Sequence, residues 1–206
     1  MESQLILAMI DAYVLELSPD TNDLPDKGLF AYVKGLVALK QHKAREALDN
    51  FKLLNDQLEI KRYLLAESYF LMGAYDTAFN SYGQYLQRQN MSNRKDALLK
   101  SGLCLWFQNS DNAQATALFE QARNEGGNMT EIDRNAAQLL SHIDEENPTI
   151  LQLRYSLDGG AFEQASQLIN TLEIRKLPSE SIEFRYRKGR YFQLTNDFEK
   201  ANTAFL

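Results

Sequence analysis

The chain has 206 residues, 44% hydrophobic and 24% charged, the composition of a folded chain rather than a disordered one. Its 22 Lys and Arg against 28 Asp and Glu give a net charge of −6. That argues against general binding to nucleic acid or an anionic membrane, since both need a cationic surface. A single cysteine, Cys104, excludes an intrachain disulfide framework and requires no oxidising compartment.

The chain opens Met1-Glu2-Ser3 with no Lys or Arg before the apolar run Leu5 to Ile10, and Asp11 ends that run. This is neither a signal peptide nor a membrane span, so no membrane insertion is expected. The expected location is cytoplasmic, with the periplasm open should a signal have been removed. Residues 2–17 then read as an amphipathic helix, and Ser18 to Asp26 as a loop. A helical hairpin follows over residues 28–55, with Phe30, Ala31, Leu36 and Leu39 on its first helix and Ala44, Ala47, Leu48 and Phe51 on its second. The pattern returns over 61–88, where Gly73 breaks it between Phe70 and Ala78, and again over 93–124. Residues 130–143 predict an extra helix. Asn147-Pro148 starts a fourth hairpin, 149–173, turned at Asp158-Gly159-Gly160, and a last one spans 180–206. One domain of hairpins thus covers residues 1–206.

A small residue in each first helix precedes an alanine in the second, and an aromatic follows four later: Gly35, Ala47, Phe51; Ala66, Ala78, Tyr82; Gly102, Ala115, Phe119; Gly189, Ala201, Phe205. The small-to-alanine spacing is 12, 12, 13 and 12 residues. Small residues let two helices approach closely, and the aromatic fills the gap toward the next hairpin. A weaker copy has Leu153, Gly160, Ala165 and Ile169. Successive second-helix alanines (47, 78, 115, 165, 201) lie 31, 37, 50 and 36 residues apart, which reads as divergent repeats with insertions. The pattern resembles the tetratricopeptide repeat (TPR), with 61–88 the nearest match through Leu65, Ala66, Tyr69, Gly73, Tyr75, Ala78 and Tyr82.

The resemblance implies an all-α, right-handed superhelical array of TPR-like helix-turn-helix hairpins. Its concave groove would be lined by the first helices: Tyr32 and Leu36, then Tyr63, Glu67 and Phe70, then Leu99 and Trp106, then Tyr186 and Arg190. Each of these residues reads equally as core, because apolar side chains mostly pack inside. The cationic clamp by which some relatives hold a peptide carboxylate is matched at Lys100 alone, since Tyr32, Leu36, Leu64 and Asp96 occupy the other places. A solenoid usually ends in a polar capping helix, whereas this chain stops at Phe205-Leu206, so it is expected to be part of a longer protein or to have that end covered.

Chemistry finds little support. His42 and His142 have no second histidine or cysteine at metal-ligand spacing, so neither a metal nor a cofactor is expected. Cys104 lies between leucines as a buried thiol would. The run Asp144-Glu145-Glu146 points its carboxylates in different directions. The basic cluster of Arg185, Arg187, Lys188 and Arg190 suits a solvated face or an acidic partner better than nucleic acid. No catalytic residue and no enzyme activity are expected. The function expected is that of a non-catalytic scaffold or adaptor for a protein or peptide partner. A sensor region of a larger regulatory or envelope-assembly protein, or a small-ligand receptor, are the alternatives.

Overall fold

Alternation of helix-forming runs with single left-handed residues cuts this chain into short helices that fold back on themselves. The computed structural model describes residues 28–88, 92–108, 112–126, 131–142, 148–175 and 181–206. Among these residues there are eleven α-helices and no strand, so the chain is all-α as expected. They are α1 Gly28–Lys40, α2 Ala44–Lys52, α3 Glu59–Leu71, α4 Tyr75–Leu86, α5 Arg94–Phe107, α6 Asn112–Asn124, α7 Glu131–His142, α8 Thr149–Asp158, α9 Phe162–Arg175, α10 Ser181–Leu194 and α11 Phe198–Phe205. The helix expected over residues 2–17 and the loop from Ser18 to Asp26 lie outside the described residues. No described helix is long and apolar enough to cross a membrane.

Five hairpins form: α1 with α2, α3 with α4, α5 with α6, α8 with α9, and α10 with α11. Four of them turn alike. His42, Gly73, Gly160 and Asn196 have φ of 59°, 75°, 70° and 63°. The next amide in each reaches back five residues: Lys43 to the Ala38 carbonyl and Ala74 to Tyr69 at 2.9 Å, Ala161 to Ser156 and Asp197 to Phe192 at 2.8 Å. This is the helix stop that a left-handed residue permits, and it aims the second helix back along the first. The turn lies seven residues after Gly35, Ala66, Leu153 and Gly189, so the weak fourth copy shares the geometry. Leu153 and Ala165 are both fully buried there. In three hairpins the glycine of the first helix lies directly on the aromatic ring of the second: Gly35 on Phe51, Gly102 on Phe119, Gly189 on Phe205.

The first three hairpins pack in sequence, α2 on α3 and α4 on α5, and α7 covers the third by packing on α6 and α5. Cations at the hairpin joints assist. Lys61 Nζ donates to the carbonyls of Lys52 (2.8 Å) and Leu54 (2.5 Å) at the end of α2, and Arg94 Nη1 donates to Leu86 O (2.8 Å) at the end of α4. Each satisfies carbonyls that have no partner within their own helix and lie at its negative pole.

The fourth hairpin does not simply extend this row. It folds back across the turns of the first two hairpins and the end of α5. The Ala44 amide donates to Gly159 O (3.1 Å), and His42 Nδ1 lies 3.0 Å from Asp158 O. Gly159 abuts the backbone of Leu71, and Gly160 abuts the carbonyl of His42. Tyr155 on α8 sets its ring edge-on to Phe70, centroids 4.8 Å apart, and Gln152 Nε2 donates to Phe107 O at 2.9 Å. On its other side α8 packs on α10.

A methyl group at Gly159 would collide with the carbonyl of Leu71, while its φ of −89° suits any residue. Gly159→Ala is therefore expected to loosen the folded-back docking and leave the hairpin's own turn intact. It should lower unfolding free energy by about 2 kcal/mol in a denaturant titration. Hydrogen exchange should quicken at the Ala44 amide, which bonds Gly159. Unchanged protection at Ala44 would contradict the docking.

Candidate functional site

Tyr63 and Glu67 lie one turn apart on α3, and Asp96 and Lys100 one turn apart on α5, so each pair shares a helix face. Where the faces meet they form a cluster. Lys100 Nζ lies 2.5 Å from Glu67 Oε2 and 2.9 Å from Asp96 Oδ2. The Tyr63 hydroxyl donates to Asp96 Oδ2 at 2.6 Å, and the Tyr82 hydroxyl from α4 donates to Glu67 Oε1. The Glu67 and Lys100 side chains are only 12% and 15% exposed.

Burial sets the protonation behaviour of the cluster. It pushes Glu67 above the ordinary glutamate value; the Lys100 charge pulls back, and Asp96 pushes further up. Burial also acts to lower Lys100, but the carboxylates of Glu67 and Asp96 outweigh it and hold the ammonium charged well above its usual range. Tyr63 and Tyr82 are pushed up mainly by burial and then by the Glu67 charge, so both remain hydrogen-bond donors. Cys104, behind Tyr82 in the same core, is pushed up by burial and by Glu67, which keeps its thiol protonated and unreactive. The cluster bonds inward and clamps α3 to α5, with one cation between two acids.

The other groove candidates divide by burial. Phe70, Leu99 and Trp106 are 0%, 4% and 2% exposed, and they pack inside the stack. Tyr32 and Leu36 on α1 are half-buried and, with Tyr63 on α3, pack around the core of the first hairpin. On the last hairpin Tyr186 is exposed, and Arg190 is half-buried with Nη1 2.6 Å from Gln193 Oε1. Two open depressions of about 710 and 640 Å³ flank the Gly159-Gly160 turn and share Arg45 in their walls. Both mix charges of either sign, Glu46 and Asp49 in the first and Glu163 in the second. No family model, curated protein or solved structure matches this chain.

Reasoning from sequence considered Asp96 and Lys100 only as parts of a carboxylate clamp and missed their union with Glu67. The available signal was spacing: Glu67 and Lys100 are 33 residues apart, about one repeat, so they share a register on adjacent first helices.

Lys100→Met would leave two buried acids without a cation, and it is expected to cost about 3 kcal/mol at pH 7. Glu67→Gln should cost less, about 1 kcal/mol, because Asp96 still partners Lys100 and the amide oxygen still accepts from Tyr82. The pH dependence has a definite sign. A carboxyl whose folded pKa is raised favours folding below its unfolded value and loses that contribution as pH climbs through the folded one. Without Lys100 the Glu67 pKa rises further, so the deficit of the variant should shrink as pH falls toward the ordinary glutamate value of 4.5. Urea titrations at pH 7 and pH 5 would show this. A deficit that is equal at both, or larger at pH 5, would refute the account.

Proposed function

We propose that the chain is a divergent array of tetratricopeptide-type hairpins acting as a non-catalytic protein-interaction scaffold, with a peptide or helix bound along the face of its first helices. The repeated turn and the recurrent small-to-aromatic contact support this array. The observation that carries the function is that Tyr32, Leu36 and Tyr63, half-buried side chains of two successive first helices, border one apolar core. Side chains with large apolar bodies and little rotamer freedom suit a peptide or an amphipathic helix. The binding face in this reading lies along the middle of α1 and the N-terminal half of α3, since Tyr155 covers Phe70 further along.

The test is affinity purification with the whole chain as bait, beside a Tyr32→Ala, Leu36→Ser variant shown by melting to remain folded. Proteins retained by the original and lost by the variant, identified by mass spectrometry, are the expected result. Identical retention by both would remove these residues from the function.

A further inference from the structure

In the row of the first three hairpins, α3 and α5 each turn one face back toward the hairpin before them. On α3 that face carries Lys61, Leu64 and Ser68, and on α5 it carries Ala97, Lys100 and Cys104. Lys61 donates to the carbonyls that end α2, Leu64 shares one core with Ala47 and Phe51 of α2, and Lys100 pairs with Glu67 on α3. Ser68 and Cys104, further along the two faces, are 0% exposed. Counted back 31 residues from α3 and 67 from α5, the same three positions fall on Phe30, Val33 and Val37 of α1.

All three are apolar, which suits a face that receives another element. Val33 and Val37 are 0% and 1% exposed, although the described apolar side chains packed against them, Phe30 and Tyr32, belong to α1 itself. No described helix precedes α1 to take the place that α2 takes for α3. The stretch of chain leading into α1 has what that place needs. Leu5, Ala8, Met9, Ala12 and Tyr13 recur at the spacing of one helix face. Ala12 lies 23 residues before Gly35, while the second-helix alanines Ala47 and Ala78 lie 19 and 24 residues before Ala66 and Gly102. Residues 18–27 join the stretch to α1 with about 30 Å of chain at full extension, against a helix length of roughly 20 Å, so the whole face is within reach.

We infer that the Phe30, Val33 and Val37 face of α1 is the docking site of the chain's own residues 2–17. They take the place of a preceding second helix, with Leu5, Ala8, Met9, Ala12 and Tyr13 turned toward α1. This goes beyond the scaffold reading and does not depend on it, because the occupant is the chain itself. It also closes this side of α1 to a partner or a second copy.

Hydrogen exchange on the whole chain, read by mass spectrometry, tests the docking. Amides of residues 5–16 should exchange roughly tenfold or more slowly than in an unstructured chain, at a rate independent of protein concentration. Met9→Asp with Ala12→Asp should bring them near the unstructured rate and quicken exchange in α1, while α5 and α6 stay protected and report that the rest remains folded. Ser3→Asp with Gln4→Asp adds the same charge away from that face and should change neither. In the reciprocal direction, Val33→Ala with Val37→Ala should quicken residues 5–16. Exchange of residues 5–16 at the unstructured rate in the original chain would overturn the inference. So would protection there that answers to neither the Met9 and Ala12 pair nor the Val33 and Val37 pair, since the segment would then dock elsewhere. Protection that is lost on dilution would give the face to a second copy and overturn it as well.

Discussion

The structure depends on one contact made in three of its hairpins: the aromatic of the second helix lying on a glycine of the first. With glycine at positions 35, 102 and 189, the ring reaches the backbone of the facing helix, where any side chain would collide with it. Burying such a ring removes on the order of 200 Å² from water. The ring has two sides, however, and a single hairpin covers only one. Phe51, Tyr82 and Phe119 are fully buried because the next helix covers the second side, so each hairpin depends on its successor. After Gly35 and Gly189 the left-handed residue seven positions on, His42 and Asn196, holds the contact in register, since it fixes where the second helix begins and hence which residue meets the glycine.

Electrostatics then determines which helix may succeed which. Lys61 and Arg94 each reach back to the carbonyl end of the preceding second helix, and they lie 33 residues apart, in the same register of successive repeats. Glu67, Lys100 and Asp96 add an ion cluster in which a cation from one hairpin satisfies an acid from its neighbour. Buried ion pairs add little net stability compared with apolar packing, yet a mismatched pair would be costly. In a stack of similarly built hairpins, that asymmetry opposes wrong neighbours and register slips.

Much of the hairpin level was legible. The small-to-alanine spacing located four hairpins and a weaker copy the fifth, the extra helix α7 lies at Glu131–His142 inside the expected 130–143, and Gly73 and Gly160 mark turns as their chemistry suggests. His42 and Asn196 were harder to read, because neither is glycine and only comparison across repeats shows that both occupy a left-handed position. The folded-back fourth hairpin was not legible at all. Its contacts join His42 to Asp158 and Phe70 to Tyr155, pairs separated by far more than one repeat, and no local pattern encodes them. The same gap affected the groove: Phe70, Leu99 and Trp106 share the periodicity of Tyr32 and Leu36, and burial alone separates them.

Glycines at 159 and 160 show how the folded-back hairpin and the open face are related. Two adjacent residues without side chains let the α8–α9 turn press against the backbones of Leu71 and His42, so the end of the first-helix face near Phe70 is closed by the chain itself. A hairpin used this way is diverted from simple extension of the row, and α10 packs on α8 rather than on a hairpin continuing from α7. The interface pattern of the row nevertheless persists in α10 and α11, residue for residue at Tyr186, Ala201 and Phe205, with Arg190 where α3 has Glu67.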